Sequence, residues 1–196
     1  MRRKSYHHGD LRKALLQGAV RVIAELGPAG FTLREVARRT GVSHNAPYRH
    51  FRDKDALLAA VAAQGFRELT QAMLEASAPD AKALDNLKSA GLAYVAFALR
   101  RPEHFTVMFE APLQNCADPE YAQTSHDAFG TLVAYIRKCQ DADQLPAGDP
   151  MERALYAWSL VHGIAKLAIA GRFPFSKRSD ILKFARFAID ESVSGM

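Results

Sequence analysis

A short polar segment near the N-terminus carries most of the side chains suited to recognition chemistry. It follows Gly41 and supplies hydroxyl, imidazole, amide, phenol and guanidinium groups from Ser43, His44, Asn45, Tyr48, Arg49 and His50. Two short helical segments that flank a glycine turn are typical of a helix-turn-helix, in which the first helix braces the second as it enters the DNA major groove. The segment therefore predicts reversible binding to DNA rather than catalysis.

The residues around this turn favour the helices that would position it. Thr32 can cap the first helix, and Glu35 stands three residues later as the reciprocal partner of a capping box. Gly41 supplies the left-handed backbone that ends this helix, and Ser43 is a good cap for the next one. Asp53 is expected to cap the long helix that follows. Pro47 is tolerated only near a helix start, so we expect the recognition helix to begin a residue or so after Ser43.

Charge distinguishes this motif from an ordinary pair of core helices joined by a glycine. Residues 1–55 contain 12 Lys and Arg against 5 Asp and Glu, a formal charge of +7, whereas residues 56–196 have a formal charge of −2. A basic head on a slightly acidic body is the distribution expected when one end of a protein faces phosphates. Arg2, Arg3 and Lys4 form either an arm onto the DNA or a solvated tail.

Length and composition argue against several other classes of protein. The chain has 196 residues, of which 48% are hydrophobic, enough to bury a sizeable core. The longest uncharged run in its C-terminal half, Ala154 to Ala165, is 12 residues, too short to span a bilayer. The basic N-terminal residues precede no apolar stretch of the kind found in secretory signals. Cys116 and Cys139 have no metal-ligand spacing, and Cys116 is either a redox sensor or an ordinary loop thiol. We expect a cytoplasmic protein without cofactor or metal.

Nearly all of the chain has the periodicity of α-helices, and no segment alternates convincingly as a strand does. Helix ends are marked at Gly27 and Gly171. We expect an all-α fold of about nine helices, with a DNA-binding head over residues 9–69, its motif at 32–51, joined by a long helix to a body over 70–196. Beyond the motif, the expected helices cover about 56–74, 81–99, 102–111, 121–140, 150–170 and 177–192.

The last two helices are apolar over most of their circumference, which predicts two packing partners for each. One partner is the protein's own core and the other is a second subunit, and Gly163 would permit close approach of another helix. The alternative is a pair of helices central to the core of a monomer. A two-fold dimer would present its recognition helices to half-sites about one helical turn apart, roughly 34–36 Å.

A specific combination of residues extends from the first helix to the third. It comprises Gly27, Phe31, Thr32, Leu33, Arg34, Glu35, Val36, Ala37, Gly41, Val42, Ser43, Tyr48, Arg49, His50, Phe51, Lys54, Leu57 and Leu58. In this combination the chain resembles the TetR/AcrR family of bacterial transcriptional regulators over about residues 9–69. Residues 6–12, together with Trp158, His162 and Gly163, are similar to the subgroup whose C-terminal domain is named for a Trp-His-Gly motif.

The resemblance implies an all-helical dimer that binds operator DNA through its head and a small-molecule effector through its body. The residues implied to form the DNA interface are Thr32, Arg34, Ser43, His44, Asn45, Ala46, Tyr48, Arg49, His50 and Lys54. Phosphate contacts are implied for Thr32, Tyr48, His50 and Lys54. Groove-facing positions are implied for His44, Asn45 and Ala46. Asn45 could pair with adenine in bidentate fashion, whereas Arg49 either reaches guanine or is a solvated charge.

Aromatic and thioether side chains around one titratable group predict an apolar effector pocket in the body. Its expected lining residues are Tyr94, Phe97, Phe105, Met108, Phe109, Trp158 and His162. For each residue taken alone, core packing is the competing interpretation, and His162 could be an ordinary core histidine.

These residues are compatible with three classes of function. The first is a ligand-responsive repressor that binds a pseudo-palindromic operator and is released by its effector. The second is an activator, or a constitutive DNA-binding protein without an effector. The third is an enzyme that uses His162, His104 or His126 as acid and base. The enzyme is disfavoured because no nucleophile elbow, phosphate loop, dinucleotide fingerprint or His-Glu-x-x-His motif occurs in the sequence.

Overall fold

Helices make up nearly all of the chain in residues 8–113 and 116–194, the part that the computed structural model describes. These ranges contain eight α-helices, one short 3-10 helix and no strand. The α-helices are α1 (His8–Gly30), α2 (Leu33–Thr40), α3 (Lys54–Glu75), α4 (Ala83–Arg100), α5 (Pro102–Glu110), α6 (Pro119–Asp141), α7 (Pro150–Ile169) and α8 (Arg178–Ser194). The 3-10 helix, Pro47–Arg49, lies between α2 and α3. The prediction of an all-α fold is confirmed, and the count is close to the nine helices expected.

The chain divides into two compact units. Of the described residues, the first unit comprises 8–65, 103–113 and 116–123, which include α1, α2, the 3-10 helix, the start of α3, most of α5 and the start of α6. The second unit comprises residues 66–102 and 124–194, with the rest of α3, α4, the rest of α6, α7 and α8. The division between the two units falls within α3, and most of α5 groups with the first unit. The domain boundary at residues 69 and 70 stays a prediction.

Apolar side chains of α1, α2 and the start of α3 are buried in the first unit. The most deeply buried are Leu15, Val22, Phe31, Val36, Leu57 and Leu58. Helices α1 and α2 pack together, and they approach closely where Gly18 faces Thr40. A methyl group at residue 18 would collide with the Thr40 side chain, so this crossing depends on glycine.

Capping groups begin α2 and α3, and end α2, at predicted residues. The Thr32 hydroxyl oxygen accepts a hydrogen bond from the Glu35 N–H at 3.2 Å at the start of α2. Gly41 ends α2 with a left-handed φ of 68°. At the start of α3, Asp53 Oδ1 accepts a hydrogen bond from the Ala56 N–H at 2.8 Å. The predicted caps at Thr32, Gly41 and Asp53 are therefore confirmed.

In the second unit, α4 packs against both α7 and α8. The buried residues of α7 are Ala154, Val161, Ile164 and Ala165. Helix α7 begins as predicted, with Pro150 at its first position and the Asp149 carboxylate accepting the Met151 N–H at 2.8 Å.

Large apolar side chains also remain exposed on α7 and α8. They are Met151, Leu155, Tyr156, Leu167 and Phe187, with exposed fractions between 44% and 60%. On α7, Leu155 and Leu167 share a face with Ser159 and Gly163, roughly opposite the buried residues. A side-chain carbon added at Gly163 would meet nothing within 4 Å. The second unit therefore has one apolar face of α7 open to contact.

Candidate functional site

The predicted recognition helix is a series of tight turns rather than an α-helix. The Ala46 N–H donates to the Ser43 carbonyl at 2.9 Å, and the 3-10 helix of Pro47–Arg49 follows. Pro47 has no N–H with which to bond the Ser43 carbonyl in the α-helical pattern. The residue that precedes the 3-10 helix is Ala46, with no side-chain cap, so the prediction of Ser43 as cap is wrong. We call residues 43–49 the recognition turn.

Most of the recognition turn is exposed to solvent. Its exposed residues are Ser43, His44, Asn45, Tyr48 and Arg49. Ala46 and the adjoining His50 are partly buried, and Pro47 is buried. At the start of α2, Thr32 and Arg34 are also exposed. Seven of the side chains predicted for DNA recognition are thus exposed on the first unit, whereas Ala46, His50 and Lys54 are partly buried.

Two cations lie over aromatic rings beside this turn. Lys54 Nζ is 5.4 Å from the centroid of the buried Phe31 ring, and Arg12 Cζ is 5.6 Å from the centroid of Phe51. Arg12 also pairs with Glu120 at 3.7 Å. The phosphate contact predicted for Lys54 stays a prediction, and its ammonium group is positioned at the first residue of α3.

A network of ion pairs connects α2 to α1. The Glu35 carboxylate accepts hydrogen bonds from Arg38 Nη2 at 2.6 Å and from Arg39 Nε at 2.7 Å. Arg39 Nη1 also contacts Glu25 of α1 at 2.5 Å. Hydrogen bonds from Arg38 and then Arg39 lower the pKa of Glu35 from its usual 4.5 to about 2.

Sequence reasoning missed this use of Glu35. It assigned the carboxylate to the reciprocal half of a capping box, whereas the carboxylate binds the two arginines that follow it on α2. The signal was present, because an acidic residue three and four positions before Arg38 and Arg39 lies on the same face of a helix.

A second group of polar and aromatic side chains surrounds the Tyr94 hydroxyl in the second unit. Trp158 Nε1 donates to Tyr94 Oη at 3.1 Å, and His162 Nδ1 lies 2.8 Å from the same oxygen. Phe129 of α6 packs edge-on against Trp158, with ring centroids 5.9 Å apart. We call Tyr94, Phe129, Trp158 and His162 the aromatic cluster.

The chemistry of the indole fixes the direction of one of these hydrogen bonds. An indole N–H can only donate, so the Tyr94 oxygen accepts from Trp158. In the second bond, the donor is either the Tyr94 hydroxyl or His162 Nδ1, according to the tautomer of the imidazole. Burial raises the pKa of the Tyr94 phenol, which favours its protonated form.

Known protein families match most of the chain. Residues 15–61, which include the recognition turn, match the family described as bacterial regulatory proteins, tetR family. Residues 87–191, more than half of the chain, match the family described as tetracyclin repressor-like, C-terminal domain. The chain belongs to the TetR family. The aromatic cluster lies entirely within the second matched range.

Three proteins are similar to this TetR-family chain over different lengths. The HTH-type transcriptional repressor Rv3405c of Mycobacterium tuberculosis is 39% identical over 70 residues, which are 36% of this chain and 37% of the relative. The match thus spans little more than a third of the curated relative's length. A protein of unknown function from Rhodococcus sp. RHA1 is 34% identical with a TM-score of 0.84, and 99% of each chain is covered. AibR shares the fold at 18% identity and a TM-score of 0.70, over 90% of this chain and 96% of AibR.

The residues predicted to line an effector pocket of this TetR-family protein fall in both units. Tyr94, Trp158 and His162 meet in the aromatic cluster, and Phe97 is buried on α4. Phe129 was missed by sequence reasoning, because a single phenylalanine on an amphipathic helix carries no signal of its partner.

The other three predicted pocket residues lie on α5 in the first unit. Phe105 and Met108 are buried there, and the rings of Phe105 and Phe109 are 4.8 Å apart. An effector contact by any of the seven residues stays a prediction.

The remaining reactive side chains lie apart from these two sites. Cys116 is partly buried in a loop, and burial raises the pKa of Cys139 to about 11. His104 is buried on α5, and His126 is exposed beside Asp127. Within residues 8–113 and 116–194, no three His, Cys, Asp or Glu side chains group as metal ligands would. None of the helices in those ranges combines the length and the apolar character needed to cross a bilayer.

Proposed function

We propose that the protein is a sequence-specific DNA-binding regulator that represses transcription from an operator. The observation that carries this proposal is the exposed polar recognition turn on the basic N-terminal part of the chain, where residues 1–55 have a formal charge of +7. Positive charge attracts the duplex and positions the head, and polar side chains of the turn then read base edges. In this arrangement Tyr48 and Lys54 contact phosphates, and Asn45 pairs with a base.

The regulator binds its operator as a homodimer through α7 and α8. The exposed apolar side chains of these two helices, Leu155, Leu167 and Phe187 among them, support this assembly because water is an unfavourable environment for such a surface. A two-fold pair of heads reads two half-sites, which accounts for a pseudo-palindromic operator.

A small-molecule effector binds the body and releases the operator. The aromatic cluster supports this assignment, since it sets apolar rings beside an imidazole on partly exposed positions of α7. AibR, which has the same fold, was crystallised with isovaleryl coenzyme A and operator DNA. Release requires that the effector prefer the conformation in which the heads no longer match the half-sites. Native mass spectrometry of protein purified from cells tests for a bound small molecule.

The protein acts by reversible binding in the cytoplasm and has no enzymatic reaction of its own. The similarity of 70 of its residues to the repressor Rv3405c supports a role at DNA. A promoter-reporter assay with and without the protein distinguishes repression from activation.

Mobility shifts at increasing salt concentrations test the DNA interface. Tyr48→Ala and Lys54→Ala should weaken binding to operator and to unrelated duplex alike and lower the salt slope, whereas Asn45→Ala should change which sequences are preferred. Lys138→Ala removes an exposed cation of α6 in the second unit and serves as the control. Binding that is unchanged in all of the head variants would contradict the proposed interface.

A further inference from the structure

One residue of the recognition turn, Pro47, lacks the backbone N–H that an α-helix through this segment would use. Three of the turn's backbone hydrogen bonds span three residues: Ala46 N–H to the Ser43 carbonyl at 2.9 Å, Arg49 N–H to the Ala46 carbonyl at 3.3 Å, and His50 N–H to the Pro47 carbonyl at 2.9 Å. The Phe51 N–H also donates to the Pro47 carbonyl, at 2.9 Å and across four residues. In an α-helix the Ser43 carbonyl would bond the N–H of residue 47, which proline lacks. The shorter bond to Ala46 takes its place.

This difference in backbone changes the relative directions of the exposed side chains. An α-helix advances about 100° per residue and a 3-10 helix about 120°. Across the two steps of the 3-10 helix from Pro47 to Arg49, the two backbones therefore differ by about 40° in side-chain direction, which turns Arg49 relative to Asn45. If two side chains point at neighbouring bases when the segment forms a 3-10 helix, they cannot both point at those bases when it forms an α-helix.

Pro47 exerts this effect from inside the protein. Its ring is buried, whereas Asn45, Tyr48 and Arg49 on either side of it are exposed. The turn packs against α2, and the neighbouring Phe51 is also buried. A buried ring has no surface with which to touch a duplex, so any influence on base recognition passes through the exposed residues.

We propose that Pro47 is a positioning residue that sets the base preference of the protein. By holding the turn in the three-residue hydrogen-bonding pattern, it fixes the angle between Asn45 and Arg49 and thereby the set of bases that they reach together. The proposal rests on the proposed function, because it assigns a role in reading DNA. It adds a determinant of specificity that does not itself contact the nucleic acid.

The test compares base preferences selected from a randomised duplex library. Pro47→Ala restores an N–H at residue 47, and Pro47→Leu restores it while keeping an apolar side chain of larger size in the buried position. Pro150→Ala is the matched control, because Pro150 occupies the first turn of α7, where no helical partner for its N–H is lost.

Both Pro47 variants should select a sequence different from that of the wild-type protein. They should bind the wild-type sequence about 10-fold more weakly, the loss expected when one side chain no longer pairs with its base. Affinity for unrelated duplex and the melting temperature should stay close to the wild-type values. Amide and Cα chemical shifts of residues 43–49 should move toward those of an α-helix, while Pro150→Ala changes neither shifts nor preference.

Two results would overturn this inference while leaving the proposed function intact. One is selection of the same sequence with the same preference by the wild type and both Pro47 variants. The other is an equal loss of affinity for the selected and the unrelated duplex, which would mean that Pro47 only stabilises the head. If the wild-type protein itself enriches no sequence from the library, sequence-specific DNA binding is contradicted. The role of Pro47 in base preference is then contradicted as well.

Discussion

Arg39 of α2 contacts Glu25 of α1 through an Nη1–Oε1 pair of 2.5 Å. The same guanidinium binds Glu35 on its own helix, so two carboxylates hold one arginine. Helix α2, which precedes the recognition turn, is thereby attached to α1 by charge as well as by packing. Arg38 also pairs with Glu35, so the protein itself partly neutralises two of the arginines of α2.

Replacing Glu35 with Gln should lower the melting temperature near neutral pH, because Arg38 and Arg39 lose a charged partner. The pKa of Glu35 is about 2 in the folded protein against a usual 4.5, so its contribution is present above pH 4.5 and is lost as the pH falls toward 2. The melting temperatures of variant and wild type should therefore converge over that range. Thermal unfolding followed by circular dichroism at a series of pH values measures this.

Glu75→Gln is the control for this experiment. Glu75 accepts a hydrogen bond from the neutral amide of Gln71 rather than from a cation. A Glu35→Gln effect that persisted unchanged at pH 2 would contradict the ion-pair explanation.

Arg34 and Arg38 should differ in their contributions to DNA binding. Arg34 is exposed at the start of α2, whereas Arg38 is held on Glu35 at 2.6 Å. We expect Arg34→Ala to lower the slope of log affinity against log salt by about 1 and Arg38→Ala to lower it less. Salt-titrated binding to any duplex measures both slopes. Equal slopes for the two variants would contradict the expected difference between Arg34 and Arg38.

Removal of the Tyr94 hydroxyl should destabilise the second unit. Tyr94→Phe leaves the Trp158 N–H and His162 Nδ1 without this partner, at a cost of about 1–3 kcal/mol. Burial raises the pKa of Tyr94 above its usual 10, so its contribution is complete below pH 10 and declines above it. Urea unfolding measures the free energies of unfolding of the wild type and of Tyr94→Phe. The difference between them should be smaller above pH 10 than at pH 7.

Tyr156→Phe provides the matched control, since Tyr156 is 54% exposed on α7, the helix that carries Trp158 and His162. Its unfolding free energy should stay near the wild-type value at both pH values. Equal destabilisation by the two substitutions would rule out a special role for the Tyr94 hydroxyl.

A charge on the open face of α7 should weaken the proposed dimer. Leu167 is 48% exposed on this face, and Leu167→Glu would place a carboxylate in the apolar interface between subunits. We expect dimerisation to weaken by about 10-fold or more, the equivalent of about 1.4 kcal/mol. Sedimentation over a range of protein concentrations measures it. Ala134→Glu, on an exposed position of α6, should leave the assembly unchanged.

The local features of this fold could be predicted because they depend on residues close together in the chain. Thr32, Gly41 and Asp53 act within one helical turn of the backbone groups that they cap or the helix that they end. Pro47 was correctly recognised as a disturbance, but a later start of an α-helix was expected rather than a 3-10 helix. Sequence alone does not show which hydrogen-bonding pattern replaces the lost one.

The arrangement of the candidate effector residues could only be predicted in part. Tyr94 and Trp158 were both predicted to line the effector pocket, but the hydrogen bond between them, which joins residues 64 positions apart, was not predicted. Such a pairing depends on how α4 packs against α7, which periodicity does not specify. For the same reason the placement of α5 in the first unit, with Phe105 and Met108, could not be read from its apolar pattern.

Trp158 is the chain's one tryptophan, and its indole N–H is bonded inside the aromatic cluster. The intrinsic fluorescence of the whole protein under 295 nm excitation therefore originates at the candidate effector site. The emission wavelength and intensity depend on the hydrogen bond to Tyr94 and on the imidazole of His162, whose ring centroid is 5.4 Å away. An effector that displaces either group can be titrated optically on unlabelled protein, before any operator is known.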